Sequence, residues 1–399
     1  MMGKREEELR ILIDPISIRA KSIEYSGIRR MVALADGLND VISFAIGEPD
    51  YDIPENVRKA ATGALEKGQT HYGPTAGLLA FRDAVSKKLH RENGVDYDPK
   101  TEVLATVGAT EACFSSILSI VNPNDEVIIT DPGFVFYAPT IILAGGKPML
   151  LPIFEANDFT FSGDDLKKLI TPKTKVIWLN SPHNPTGSVM SRSQLQEVAD
   201  IAIERDILVV SDEVYEKFVY DGNEHVSIAS LPGMRERTLT VNALSKTYAM
   251  TGLRLGFVAA PEKMIERIHL VHMHICTHPS VPAQIAGVEA LNGPQNSVNE
   301  MVEEFSRRRE VILKRLNEIE GISSWRVKGS FYVFPDISQF MKSSREFAEE
   351  LLREARVNSV PGTAFGGNGE GYLRLSFAAP IPTINEGMDR LERFAIKVS

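Results

Sequence analysis

Seven short apolar runs, EVLATV, EVIIT, KPMLLPI, KVIWLN, ILVVSD, TLTVNAL and LGFVAA, recur through the middle of the chain, separated by helical patterns such as SRSQLQEVADIAIERD. Runs that stay apolar at consecutive positions suit strands covered on both faces, and strands alternating with helices imply crossover connections. The pattern predicts an α/β fold with a mostly parallel sheet covered by helices. After the Pro-marked segment THPSVPAQ come long helical patterns, including SVNEMVEEFSRRREVILKRLNEIE, and then short strands around Phe331 to Val333 and Leu373 to Leu375. These, with the N-terminal segment, are expected to form a smaller α+β domain. The expected division is 1–48, an N-terminal segment belonging to the small domain, 49–290, the large domain, and 291–399, the rest of the small domain. A length of 399 residues and 43% hydrophobic content agree with two packed parts.

Charge and cysteine usage narrow the partners. A net charge of −9 with no basic run argues against a nucleic-acid surface. No apolar stretch approaches a membrane span, and the charged N-terminal stretch MMGKREEELRILI is unlike a signal peptide, so a cytoplasmic location is expected. Cys113 and Cys276 are far apart and form no CxxC pair, which suits free thiols rather than a nucleophile. His272, His274 and His278 invite a metal reading, but Pro279 and Pro282 interrupt any helix there and no carboxylate cluster accompanies them. No metal is expected.

The chemistry collects after the apolar runs. SKTYAMTGLRLG carries Ser245, Lys246 and Arg254; DEVY supplies Asp212 and Tyr215 after ILVV; SPHNPTG supplies Asn184 after KVIWLN. Alone, a lysine and an arginine eight apart are a pair of solvated charges, and Asp212 is a strand-end turn cap. Small and apolar neighbours change that reading, because cations placed there need an anionic partner. An amine, a carboxylate, a phenol, an amide and a guanidinium together are the set that holds pyridoxal 5'-phosphate, and open α/β sheets place ligands at the carboxyl ends of their strands. Gly108, Ala109 and Thr110, between EVLATV and a helical pattern, offer free backbone N–H groups to an anion. Arg374 alternates with Leu373, Leu375 and Phe377 in an apolar setting, where a planar guanidinium grips a carboxylate through two parallel hydrogen bonds.

From AIGEPD through YLRLSF the ordered set resembles the class I aminotransferases of fold type I, and within them the aspartate and aromatic aminotransferase subgroup. That resemblance implies a large cofactor domain with a mostly parallel seven-stranded sheet, plus a smaller α+β domain. It implies that Lys246 forms the Schiff base with the cofactor and moves the substrate Cα proton, and that Asp212 keeps the ring nitrogen protonated. Tyr215 and Asn184 would donate to the ring oxygen. Ser245, Arg254 and the 108–110 turn would face the phosphate, and Phe134 would stack on the ring, although Phe136 and Tyr137 stand close enough to share that assignment. Arg374, with the Gly47 backbone and the Asn184 amide, would hold the substrate α-carboxylate. Tyr72, otherwise a turn tyrosine beside Gly73 and Pro74, matches a residue reaching the neighbouring subunit's phosphate, which implies a homodimer. Ala243 and Leu253 depart from the family's usual serine and tryptophan.

The implied activity moves an amino group from an L-amino acid, aromatic or aspartate-like, to a 2-oxo acid such as 2-oxoglutarate. A β-lyase could keep every residue named above. A cofactor-binding regulator would need a DNA-binding module for which the chain has no room. Ile13, Ile16 and Ile46 tilt the expectation towards aromatic or other apolar donors.

Overall fold

The computed structural model describes residues 14–398, so Ile13 and the rest of 1–13 lie outside the described residues. In chain order its strands are β1 (Ile42–Ser43), β2 (Val103–Thr106), β3 (Glu126–Asp131), β4 (Lys147–Pro152), β5 (Thr174–Asn180), β6 (Leu208–Asp212), β7 (Thr238–Ala243), β8 (Gly256–Ala259), β9 (Tyr332–Val333), β10 (Val357–Asn358), β11 (Val360–Pro361) and β12 (Leu373–Ser376). The seven apolar runs are β2 to β8. They form one sheet in the order β2-β8-β7-β6-β5-β3-β4, parallel throughout except for β8, which is antiparallel to both neighbours.

The pleat explains why these runs stay apolar at consecutive positions. In β5, Ile177 and Leu179 pack into one core, whereas Val176 and Trp178 pack into another on the opposite face; in β6, Val209 and Val210 divide the same way. The helix Arg192–Glu204 covers the first face with Leu195, Val198 and Ala202, its start fixed by a capping box between Ser191 and Gln194. The second face is covered by Gly108–Ile120 and Glu262–Cys276. Fully burying one such aliphatic side chain stabilises the fold by about 1.5–3 kcal/mol. At the sheet edge β4 is mostly uncovered, with Leu150 47% exposed, and it carries Lys147, Pro148 and Pro152, residues that discourage pairing with another strand.

The C-terminal part packs around a core that also takes in Val214, Tyr215, Phe218 and Ala243. The helices Asn296–Glu318, Ser344–Ala355 and Ile381–Val398 bury Phe305, Phe347 and Leu391 together with β9 and β12, and Met31 and Phe44 from near the N-terminus join them. The parallel pairing of β1 with β10 makes the same connection through the backbone. β9, β12 and β11 form a small antiparallel sheet that carries Arg374. Among the described residues no helix is long and apolar enough to cross a membrane.

Candidate active site

Because β3, β5, β6 and β7 run parallel, their carboxyl ends open on one edge of the sheet, and the segments leaving those ends line a cavity of about 600 Å³. Asp212 ends β6 and is 5% exposed. Its carboxylate accepts from Tyr137 Oη at 2.8 Å and from the Val214 N–H at 3.3 Å. Burial pushes its pKa up to about 6, against the pull of those hydrogen bonds. Tyr215, three residues on, is buried, and its Oη lies 2.9 Å from Tyr332 Oη. Burial raises the Tyr215 pKa, so the phenol keeps its proton.

Lys246 follows β7 on the short helix Leu244–Thr247 and donates from Nζ to the Gly47 carbonyl at 2.5 Å. Burial lowers its pKa to about 8, and the charges of Arg374 and Arg254 act in the same direction. Gly47 must lack a side chain, since a Cβ there would overlap Tyr332 Oη. Beside Lys246, Ser245 and Arg254 line the same cavity. Arg254 has the left-handed backbone conformation, φ +52°, and donates from Nη1 to the Thr251 carbonyl at 3.0 Å.

Opposite Arg254, Gly108 begins the helix Gly108–Ile120, whose N-cap residue Val107 provides no side-chain cap. Gly108 has φ +77°, and a Cβ on it would lie 2.7 Å from Arg254 Nη2. Ala109 and Thr110 line the cavity. A helix start with uncapped N–H groups, packed against a guanidinium and next to a serine, is a cradle of the size and charge of a phosphate. These residues fit pyridoxal phosphate.

At the other end Arg374 is 1% exposed. It donates from Nη1 to Asn184 Oδ1 at 3.2 Å and from Nη2 to the Ala45 carbonyl, while its Nε has no hydrogen-bond partner among the described residues. Its guanidinium carbon lies 4.4 Å from the centre of the Tyr332 ring and 5.0 Å from that of Phe365. A cation buried among aromatic faces, with one donor unused, is suited to an anionic ligand. Phe134 lines the cavity wall, edge-on to Tyr137 at 5.6 Å. Tyr72 stands apart. It is 92% exposed, packs against His278 and is not in the lining of this cavity.

The model of the family Aminotransferase class I and II matches residues 39–391. The chain belongs to the class I and II aminotransferases. This aminotransferase is 47% identical over 380 residues to the aromatic-amino-acid aminotransferase 2 of Thermococcus litoralis and to the aspartate aminotransferase of Pyrococcus abyssi, with 95% of this chain and 97% of each relative covered. Its structure superposes on that of the aromatic aminotransferase of Pyrococcus horikoshii OT3 with a TM-score of 0.88 at 47% identity, covering 93% of this chain and 99% of that one. The aminotransferase depends on pyridoxal phosphate and takes amino acids and 2-oxo acids as substrates.

Three features of the aminotransferase went unassigned in the sequence. Tyr137 is the direct partner of Asp212, yet DPGFVFY presents three aromatic residues, and only the turn into the helix Tyr137–Leu143 sets their directions. Tyr332 bridges Tyr215 and Arg374, which requires the pairing of β9 with β12. The sequence offered no carboxylate cluster near the histidines, and the structure brings a single one to them: His272 Nδ1 lies 3.1 Å from Glu111, with Cys276 beside them. Packing of two helices far apart in sequence brings that carboxylate in.

Proposed function

We propose that this aminotransferase carries the amino group of an aromatic or aspartate-like L-amino acid to 2-oxoglutarate or a related 2-oxo acid, as a cytoplasmic homodimer. The observation that carries the reading is the convergence of Lys246, Asp212 and Arg374 on one cavity. Relatives at equal identity named for aromatic amino acids and for aspartate support both donor types. We divide the chain into 1–48 and 291–399 as the small domain and 49–290 as the large one, a division supported by Met31 and Phe44 packing in the C-terminal core.

Pyridoxal phosphate, when bound, supplies an aldehyde for the amine and a protonated ring that accepts the electron pair released at Cα. The Gly108–Ala109–Thr110 N–H groups, Ser245 and Arg254 hold its phosphate, and Tyr72 of a second copy completes that hold. Phe134 would cover one ring face. Asp212 would pair with the ring nitrogen, with Tyr137 holding the carboxylate in line. Tyr215 and Asn184 would donate to the ring oxygen. Arg374 receives the substrate α-carboxylate between Asn184 and the Gly47 backbone, which fixes the direction of the Cα–H bond. Lys246 Nζ, with its pKa near 8, is neutral in part at physiological pH and takes the Cα proton there.

A panel of amino donors with the holoenzyme tests this. Stoichiometric conversion of the cofactor to its pyridoxamine form by an aromatic donor or aspartate, reversed by 2-oxoglutarate, is the expected result. Continuous release of ammonia and pyruvate from an amino acid alone would instead assign a lyase.

A further inference from the structure

Two helices that cover the large sheet, Gly108–Ile120 and Glu262–Cys276, meet at a cluster that the transfer chemistry leaves unused: Glu111 on the first, His272 and Cys276 on the second. His272 and Cys276 are four residues apart, so one helical turn puts both on the same face. Their ligand atoms and a Glu111 carboxylate oxygen all lie within 4.8 Å of one another. His272 is fully buried and Glu111 is 9% exposed, whereas Cys276 is only partly buried and gives the cluster access to solvent.

Counting donors and acceptors around the ring singles this cluster out. His272 Nε2 lies 3.1 Å from the Thr75 carbonyl, which only accepts, so a neutral imidazole carries its hydrogen there. Nδ1 then turns a lone pair towards Glu111 Oε2 at 3.1 Å and Cys276 Sγ at 3.5 Å. Glu111 Oε2 also accepts from the Val107 N–H at 3.1 Å, and Glu111 Oε1 is buried with no hydrogen-bond partner among the described residues. From these observations we propose that Glu111, His272 and Cys276 bind a thiophilic divalent cation of the zinc class. A tetrahedral zinc ion, with bonds of about 2.0 Å to nitrogen and oxygen and about 2.3 Å to sulfur, sets its N···O and N···S ligand pairs about 3.3 and 3.5 Å apart, close to the observed 3.1 and 3.5 Å. The Thr75 carbonyl, accepting from the other ring nitrogen, is the outer support that histidine ligands carry. On binding, the thiol gives its proton to solvent, the sulfur–metal bond replaces its contact with the His272 carbonyl at 3.6 Å, and water takes the fourth position. The comparable cluster of Glu213, Glu216 and His225 differs, because the Lys88 ammonium already supplies its positive charge. The ion ties the segment carrying Tyr72, through Thr75, to the phosphate turn, through Val107.

Titration of untagged holoenzyme with Co2+, followed by Zn2+, tests the assignment. One Co2+ per chain, with the intense visible d–d bands of a four-coordinate ion bound through sulfur and displaced by Zn2+, is the expected result. Cys276→Ser is expected to weaken Co2+ at least about tenfold, as loss of even an outer support does, and to shift those bands as sulfur is lost. Glu111→Gln, which keeps an acceptor for the Val107 N–H, is expected to weaken Co2+ at least about tenfold while the sulfur signature remains. No uptake by the wild type, the weak bands of six-coordinate Co2+, or wild-type affinity in Cys276→Ser would overturn the proposal and leave the cluster as an imidazolium–carboxylate pair.

Discussion

Lys246 is an amine whose surroundings oppose its charge. Burial and two nearby guanidinium groups lower its pKa from the ordinary 10.5 to about 8, against the pull of Glu48 and Asp212. A neutral amine is the form that attacks an aldehyde, so capture of pyridoxal phosphate by protein stripped of cofactor should accelerate as pH rises through 8. Between pH 7 and 9 the neutral fraction grows about tenfold in all and then levels off, whereas an unperturbed lysine would gain about tenfold for each unit up to pH 9 and keep rising beyond it. Stopped-flow absorbance across that range checks the profile, and a rate still climbing tenfold per unit above pH 9 would contradict it. Asp212 is shifted the other way: burial raises its pKa to about 6, and a protonated ring nitrogen facing it would favour the charged carboxylate. Lys246, Asp212 and Arg374 were readable as residues because strand ends and small neighbours surround them in sequence. The role of Tyr332 was not, since its ring meets Tyr215 and Arg374 only through the pairing of β9 with β12.

Two short elements, 212–216 after β6 and 242–246 at the end of β7, carry most of the reacting groups, and each also has a reverse side. Asp212 and Tyr215 line the cavity; Glu213 and Glu216 are instead buried in a polar network. Glu213 accepts from Ser211 Oγ at 2.9 Å and Ser227 Oγ at 2.8 Å. Glu216 accepts from Asn93 Nδ2 at 3.0 Å and Asn242 Nδ2 at 2.8 Å and pairs with Lys88. The network thus ties the two elements together from behind. Burial pushes the Glu216 pKa up, but Lys88 and His225 outweigh it and hold it at about 2. Glu216→Gln leaves the buried Lys88 ammonium with only the more distant Glu92 Oε2, at 3.8 Å, as a counter-charge and is expected to destabilise the fold by about 3 kcal/mol. The folded pKa lies below the ordinary 4.5, so this contribution is complete above pH 4.5 and is lost as pH falls towards 2. Chemical denaturation at pH 7 and pH 3 should show the gap between variant and wild type shrinking at the lower value; a gap that widens there would count against the ion pair. The strands of the large sheet were visible as apolar runs, the interior ones because both faces are covered, with β4 at the edge apolar in sequence though mostly uncovered. The network was not visible, because Lys88 and Asn93 lie more than 100 residues from the glutamates they meet.

The placement of Tyr72 concerns the molecule as an assembly. A 92% exposed tyrosine is usually mobile, yet the backbone around it is pinned: Gly73 N–H donates to His278 Nε2 at 3.2 Å, the Thr75 carbonyl lies 3.1 Å from His272 Nε2, and Leu78 N–H donates to Gln284 Oε1 at 2.6 Å. Through His272 the same support reaches Glu111, which also accepts from Val107 N–H beside the phosphate turn. A segment this well braced, presenting a phenol away from its own cavity, suits delivery of that phenol to a second copy, and a two-fold dimer makes such an exchange reciprocal. The arrangement makes a distinctive prediction for mixed dimers. Tyr72→Ala and Lys246→Ala are each expected to impair activity alone. In a hybrid of the two, one site combines both defects, while the other combines the intact Lys246 of one subunit with the intact Tyr72 of its partner and so recovers full function. If Tyr72 served its own chain, neither hybrid site would be whole. Co-expression with distinct tags, isolation of the hybrid and measurement of turnover per dimer separate the cases: about half of wild-type activity supports exchange between subunits, and activity no higher than that of the Tyr72→Ala parent rules it out.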